Sequence, residues 1–228
     1  MSAQARRSRP SARGTLSREA IVAEAIALAD REGLDAVTIR RLAQIHNVTP
    51  MALYRYFKDK DEIFDGVAEG LIAQIALTPL TEDPWQDQLR AVLEAVLAAL
   101  RRHPTVAGLV PTRFLDSAAG LAIAERTLEL LGRGGLPQDK AAEVSGYLLS
   151  GLVGMVIVEP GRHHGSDADE REDAIRGRMA SLIALPPRKY PNVVQAAPAL
   201  AACASPDAYY KLGIDILITG LLGVTTHL

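Results

Sequence analysis

Apolar residues recur with a helical period along most of the chain, and short polar, glycine- or proline-containing segments separate the periodic stretches. The first stretch begins after Ser17, a residue type that caps helix N-termini, and ends at Gly33. Thr38 begins a second helix that runs to about Ile45, and Asn47 tolerates the positive φ of a tight turn. The pattern therefore predicts short helices joined by tight turns in this region.

Two further helices are predicted after this turn. Thr49 and Pro50 form a strong start signal, because the N–H that proline lacks needs no partner at the first helical position. We expect this helix to end near Lys58. Asp59, with a glutamate three residues later, has the spacing of a capping box, which begins a fourth helix reaching about Leu77.

Longer and more apolar helices are predicted beyond a proline-rich break at residues 78–84. Their expected spans are Trp85–Arg102, Phe114–Leu131, Pro137–Val158 and Asp207–Gly223. Residues 161–173 are polar and are predicted to form a mobile loop, followed by short helices around Ala174–Leu185 and Pro191–Cys203.

Composition favours an all-α fold, because Ala and Leu dominate the 48% of hydrophobic residues and only 4% are aromatic. The single cysteine, Cys203, cannot form an intramolecular disulfide, and the basic N-terminus lacks the apolar core of a secretory signal. The most strongly apolar uninterrupted run, Gly151–Val158, is far shorter than the roughly 20 residues that span a bilayer. We therefore expect a cytoplasmic protein without a membrane segment.

The net charge of −2 conceals an asymmetry between the two parts of the chain. Residues 1–60 carry 11 Lys and Arg against 6 Asp and Glu, whereas residues 61–228 carry 14 against 21. A basic N-terminal region suits a polyanion such as DNA, which an acidic remainder would repel. The alternative at this point is a chance distribution of charge.

Two short helices joined by a tight turn form a helix-turn-helix, whose second helix can enter the major groove of DNA. Ala43 is small where the helices cross, and Val48, Leu53 and Phe57 are spaced to hold the second helix against the first. The opposite face is predicted to be exposed and to carry Thr49, Met51, Ala52, Tyr54, Arg55 and Tyr56. Arg55 can fork onto a guanine edge, while Arg40 and Lys60 are placed to hold the phosphate backbone.

Residues 38–71, TIRRLAQIHNVTPMALYRYFKDKDEIFDGVAEGL, closely resemble the DNA-binding signature of the tetracycline-repressor (TetR) family. Residues 84–90 and 151–159 are similar, more weakly, to the C-terminal domain of the tetracycline repressors. The resemblance implies a three-helix DNA-binding module, a linking fourth helix and a helical bundle that binds ligand and dimerises. The expected divisions are a flexible basic arm at 1–16, the DNA-binding domain at 17–66 and the ligand-binding and dimerisation domain at 67–228.

The resemblance also implies which residues contact DNA. They are Arg40, Thr49, Pro50, Met51, Ala52, Tyr54, Arg55, Tyr56 and Lys60. For Tyr54 and Tyr56 the alternative is that the rings mainly pack the small domain, and for Lys60 the alternative is plain solubility.

Small residues mark a candidate dimer interface on two C-terminal helices. Gly146, Ser150 and Gly154 recur every four residues, and the last helix offers Gly213, Leu217 and Gly220. In the TetR family these two helices pair with their copies as a four-helix bundle across the dimer axis. The alternative is packing within one chain, since small residues also serve helix crossings inside a domain.

The candidate ligand pocket departs from that of the tetracycline repressors, which hold a drug-bound magnesium ion through a histidine. Here that neighbourhood reads Val110 and Pro111, and Val92 and Val96 stand where those repressors have a polar and an aromatic side chain. The pocket is predicted to be lined by Val92, Val96, Phe114, Thr127 and Leu128. Such a lining favours a largely apolar effector over magnesium-tetracycline.

No catalytic residue, cofactor or metal site is predicted, because the chain lacks a phosphate-binding loop, a G-x-S-x-G turn and paired Cys-x-x-Cys motifs. His163, His164, Asp167 and Asp169 are close in sequence, but a solvated loop explains them better than a metal site. The expected function is that of a homodimeric repressor on a palindromic double-stranded operator, released by a small effector. An activator, a corepressor-dependent repressor, and an enzyme or binding protein with a purely structural helix-turn-helix remain alternatives.

Overall fold

The structure is a computed structural model and describes residues 16–161, 168–202 and 205–225. Within these ranges the chain forms α-helices, two 3-10 turns and connecting segments, and no strand. The predicted all-α class is confirmed. The N-terminal helices are α1 (Arg18–Glu32), α2 (Ile39–Ile45), α3 (Pro50–Leu53) and α4 (Lys60–Ile72). The C-terminal helices are α5 (Trp85–Arg102), α6 (Pro104–Ala107), α7 (Ala118–Arg133), α8 (Gln138–Ile157), α9 (Ala168–Ile183), α10 (Pro191–Gln195), α11 (Ala197–Ala201) and α12 (Pro206–Thr225).

Three predicted N-caps hold the N-terminal helices in place. The hydroxyl of Ser17 accepts from Ala20 N at 3.1 Å and begins α1, and Thr38 accepts from Arg41 N at 3.1 Å and begins α2. The carboxylate of Asp59 accepts from Glu62 N at 2.8 Å and begins α4. Each bond satisfies an amide that has no partner inside its own helix.

The DNA-binding module is built around a close crossing of α1 and α4. A Cβ atom placed on Gly66 would lie 2.9 Å from a methyl of Val22 and 3.3 Å from the Phe57 ring. Glycine therefore permits a helix separation that alanine would not. The guanidinium of Arg18 lies over the Phe57 ring, 4.5 Å from its centre.

The C-terminal part packs α5, α7 and α8 against one another, and α12 lies across α8 and α5. Short α6 lies between the two parts of the molecule, since it contacts α1 and α4 on one side and α5 and α8 on the other. Helices α9, α10 and α11 pack mainly among themselves. They thus form a separate helical arm between α8 and α12.

Several predicted boundaries were wrong, each for a local reason. Helix α3 is regular only to Leu53 and continues as a turn, α4 ends at Ile72 rather than Leu77, and Phe114 lies in a 3-10 turn. Helix α7 begins later than expected because the hydroxyl of Ser117 accepts from Gly120 N at 3.0 Å and caps it there.

The polar segment before Ala174 was also misassigned. Residues 168–173 are the start of α9 rather than part of a mobile loop. Their acidic side chains favour a helix N-terminus, and the Arg176 guanidinium bonds to Glu172 at 2.6 Å and Asp173 at 2.8 Å. Residues 168–173 are polar or charged apart from Ala168 and none is buried, so this first part of α9 lacks the apolar stripe by which sequence analysis recognises a helix.

Helices α8 and α12 are long and apolar enough to cross a membrane by length and composition alone. The sequence-based expectation considered only uninterrupted apolar runs and missed this, because charged residues interrupt both helices, such as Glu143 in α8 and Asp215 in α12. Less than a third of each apolar window is buried within the chain. Both helices therefore present apolar surface that needs a covering partner.

Candidate DNA-binding and effector sites

The helix-turn-helix is held together by buried apolar side chains on the inner sides of α2 and α3. Leu42, Ala43, Leu53 and Phe57 are all at most 1% exposed. Asn47 has a φ of 53°, which confirms the predicted tight turn. The turn closes through a hydrogen bond from Val48 N to Ala43 O at 2.9 Å.

The outward side of residues 49–57, the reading segment, carries a mixed apolar and cationic surface. Met51 is 72% exposed and Tyr54 is 51% exposed, although both are large side chains that folding usually buries. Arg40, Thr49, Pro50 and Arg55 are also exposed, and Ala52 is partly buried. Apolar atoms can contact thymine methyls and a guanidinium can bond to a guanine edge, so this surface suits a base edge.

Lys60 and Tyr56 differ from the rest of the predicted DNA-contact set. Lys60 lies in the first turn of α4, and its ammonium is 5.1 Å from the centre of the Phe64 ring. The expectation that Tyr56 lies on the exposed face was wrong, since it is half-buried and its hydroxyl donates to Leu16 O at 2.8 Å. Its backbone carbonyl also accepts from Arg18 at 3.1 Å. Tyr56 therefore anchors the start of α1 to the reading segment.

An apolar cavity lies between α5, α7 and α8. It is lined by Val92, Leu93, Val96, Phe114, Ile123, Thr127, Ser145, Leu148, Leu149 and Leu152. Four of the five predicted pocket residues therefore meet at one place, and the fifth, Leu128, is outside the lining. The cavity measures about 20 Å³, which is room for about one water molecule.

The predicted interface residues divide between two environments. A Cβ atom placed on Gly146, Gly154 or Gly220 would meet no atom of the described residues within 4 Å, and Ser150 is exposed. Gly213 instead lies against the Met155 side chain. Leu217 covers Gly151, with 3.1 Å between a Leu217 methyl and the Cβ position of that glycine.

Gly213 and Leu217 therefore serve the crossing of α8 and α12 within one chain, which was the alternative left open by the sequence. The surface formed by Gly146, Ser150, Gly154 and Gly220 stays open. Large apolar side chains flank it, namely Tyr147, Val158, Leu212, Ile216 and Val224.

Helix α12 is fixed to its own chain through Asp215, which accepts from Arg90 at 2.7 Å. Hydrogen bonds from Lys211 and Arg90 hold the pKa of the Asp215 carboxyl below its ordinary value.

Among the described residues, two polar contacts join the DNA-binding module to the C-terminal helices, and a third holds the linker that follows α4. Asp30 on α1 and the ring of His103, where α5 meets α6, are 2.7 Å apart. Arg113 donates to Asp65 on α4 at 2.6 Å, and Arg126 on α7 donates to Thr78 O at 2.6 Å. Arg113 is followed directly by the cavity residue Phe114. A side chain that faces the cavity is thus adjacent to one that holds the DNA-binding module.

Comparison with known proteins agrees with both parts of this architecture. Residues 21–67 match the family of bacterial regulatory proteins called the tetR family, and residues 78–225 match the family described as tetracyclin repressor-like, C-terminal domain. The chain belongs to the TetR family. It is 28% identical to the tetracycline repressor protein class C of Escherichia coli over 213 residues, which are 90% of each chain.

Two solved structures show the same fold. ActR of Streptomyces coelicolor, solved in complex with actinorhodin, has a TM-score of 0.73 and 26% identity and covers 93% of this chain and 99% of its own. BioQ of Mycobacterium smegmatis is alike in fold, with a TM-score of 0.64 at 23% identity, covering 92% of this chain and 99% of its own. BioQ has also been solved with its double-stranded DNA operator.

Membership in the TetR family establishes a DNA-binding transcriptional regulator with a ligand-binding domain, which is not an enzyme. Among the described residues, no three His, Cys, Asp or Glu side chains meet in a way that could hold a metal ion. His163, His164 and Asp167 lie outside the described residues, and Asp169 lies in the first turn of α9.

Sequence analysis missed six residues of the cavity lining, four of them on α8. Ser145, Leu148, Leu149 and Leu152 are spaced i, i+3, i+4 and i+7, which places them on one face of the helix. That spacing was visible in the sequence. The same helix also carries the small residues Gly146, Ser150 and Gly154, and the sequence does not show which face of the helix lines a cavity.

Proposed function

We propose that this TetR-family protein is a homodimeric repressor that leaves a palindromic operator when a small, largely apolar effector enters the cavity. The observation that carries the proposal is the pairing of an exposed reading segment with a cavity whose lining is almost wholly apolar. A tetracycline repressor protein of Escherichia coli is among its relatives. A regulator that acts on DNA in this way works in the cytoplasm, which is the location we propose.

The proposed DNA contacts are the exposed residues of the reading segment and its two flanking cations. Arg55 would bond to a guanine edge, and Met51 and Ala52 would contact thymine methyls. Arg40 and Lys60 would hold phosphates on either side. We leave Tyr56 out of the proposed base contacts, because its hydroxyl is already bonded to Leu16.

The uncovered surface of α8 and α12 supports the proposed homodimer. Exposed Tyr147, Leu212 and Ile216 lie beside glycines whose Cβ positions are open, so two copies can approach closely along these helices. A second copy of the same chain offers the matching small and large residues, as a two-fold axis requires. A dimer also places two reading segments on one duplex, where half-sites lie at fixed intervals.

The proposed effector is larger than the cavity as it stands. A pocket that binds a drug-sized molecule holds roughly 300–1,000 Å³, and the cavity holds about 20 Å³. Entry must therefore move side chains or spread α5, α7 and α8. Phe114 lines the cavity and follows Arg113, which bonds to Asp65 on α4, so displacing Phe114 would disturb the DNA-binding module.

The protein ActR shows that a related chain of this fold holds a small organic molecule, since it was solved with actinorhodin and with (S)-DNPA. For the present chain we propose only that it too binds a small organic molecule, and not that it binds the ligands of ActR. For an effector to release DNA it must favour the displaced state, and about 1–3 kcal/mol of coupling lowers operator affinity roughly 5- to 150-fold.

The test is a titration of complexes between the full chain and an operator selected from random duplexes. Tetracycline, with and without magnesium, is compared with a panel of hydrophobic aromatic compounds. We expect release by one or more of the hydrophobic compounds and none by tetracycline. Tight release that depends on magnesium and tetracycline would contradict the proposed effector class.

A further inference from the structure

The cavity lining contains only two side chains with a polar atom, Thr127 on α7 and Ser145 on α8. The Thr127 hydroxyl donates to Ile123 O at 2.8 Å, one turn earlier in its own helix. Its hydrogen is therefore already used, and its methyl group is left to pack against apolar neighbours. Thr127 behaves toward a ligand largely as a valine would.

Ser145 is in a different position. Within the described residues its hydroxyl makes no hydrogen bond, either to the carbonyl of Ala141 one turn earlier or to any neighbouring element. The residue is partly buried on the helix face that it shares with Leu148, Leu149 and Leu152. A partly buried hydroxyl without a protein partner is satisfied by water or by a ligand.

We propose that Ser145 is a specificity-determining residue, which hydrogen-bonds to an oxygen or nitrogen atom of an otherwise apolar, aromatic-sized effector. This inference rests on the proposed function of the cavity as the effector site. The effector class it defines is a hydrophobic molecule with at least one hydroxyl or carbonyl group, not a pure hydrocarbon. Entry of a hydrocarbon would displace water from Ser145 and leave the hydroxyl unpaired, at a cost in affinity.

The experiment compares two probes of nearly equal shape, 2-naphthol and 2-methylnaphthalene, which differ in a hydroxyl and a methyl group. Their binding to the full chain is measured by equilibrium dialysis for wild type, Ser145→Ala and the control Thr127→Val. Each substitution removes one hydroxyl from the cavity, but only Ser145 has its hydroxyl free. Operator affinity without probe checks that each variant remains folded and functional.

We expect Ser145→Ala to weaken 2-naphthol binding roughly 2- to 12-fold relative to 2-methylnaphthalene, the range for loss of one hydrogen bond. Thr127→Val should leave the ratio of the two affinities unchanged. An unchanged ratio in Ser145→Ala, or a fall in Thr127→Val instead, would overturn the role of Ser145 and leave the apolar cavity intact as a site. Binding of neither probe to wild type would reject the cavity itself, and the proposed effector site with it.

Discussion

The reading segment and the α8–α12 surface both expose large apolar side chains, but they differ in what surrounds those side chains. Met51 and Tyr54 stand among the cations Arg40, Arg55 and Lys60 on a short segment. Tyr147 is 76% exposed and Ile216 is 61% exposed, and both lie on 20-residue helices beside glycines that leave the backbone open. We therefore propose different partners for these two exposed surfaces, DNA for the reading segment and a second copy of the chain for the α8–α12 surface.

The largest effect on dimerisation and operator binding should come from blocking the α8–α12 surface. Gly154→Arg places a long charged side chain where two helix backbones are proposed to meet, and the Cβ of the new residue meets no described atom of its own chain within 4 Å. We expect folded monomers and loss of operator binding, although the reading segment is untouched. Analytical ultracentrifugation and an operator-binding assay measure the two outcomes.

The matched control is Gly132→Arg, on the exposed side of α7, where the added Cβ also meets nothing within 4 Å. It should remain a dimer and bind the operator as wild type does. A folded Gly154→Arg protein that still sediments as a dimer would refute this placement of the interface.

A smaller effect is expected from the reading segment. Arg55→Ala should weaken specific operator binding by about 1–3 kcal/mol and relax base preference at one position of each half-site, because one bidentate base contact is lost. Fluorescence anisotropy with single-base variants of the operator measures both quantities. Equal weakening on specific and random duplexes would show that Arg55 does not read a base.

Lys60→Ala should affect DNA binding differently from Arg55→Ala, because we propose that Lys60 contacts a phosphate and not a base. The variant should bind all sequences more weakly to a similar degree, and its salt dependence should be shallower by about one unit in the log–log slope. Titrations at several salt concentrations provide the slope. A slope equal to that of wild type would show that Lys60 does not contact a phosphate, and its only supported interaction would be the one with the Phe64 ring.

The smallest effect concerns the attachment of α12 within its own chain. Lys211 and Arg90 hold the pKa of Asp215 below its ordinary value of 3.8, so its carboxylate stabilises the fold above that value. This stabilisation is lost as the pH falls through the lowered pKa. The difference in melting temperature between wild type and Asp215→Asn should therefore shrink below about pH 4, and a constant difference from pH 7 to pH 3 would contradict this contribution.

The sequence predicted the DNA-binding module well because its boundaries depend on local chemistry. Ser17, Thr38 and Asp59 cap their helices through bonds that span three residues, and Asn47 reverses the chain by its own φ. Such features depend on residues that are close together in the sequence. They can be recognised without knowing how the rest of the chain folds.

The C-terminal sites were only partly predictable, because they depend on how long helices cross. Gly213 and Leu217 turn toward α8, while Gly220 on the same helix faces outward, and no local pattern distinguishes them. Leu128 likewise is one residue from Thr127, and the 100° rotation between them moves it out of the cavity lining. Only tertiary packing decides which side of a helix meets which neighbour.

The stoichiometry and footprint of the operator complex test the two-surface account most directly. The full chain is mixed with an operator selected from random duplexes, the mass of the complex is measured in solution, and hydroxyl radicals map the protected backbone. We predict two chains on one duplex, with two protected half-sites roughly 34–36 Å apart or at a multiple of that spacing. One chain bound to one half-site with full affinity would contradict the account.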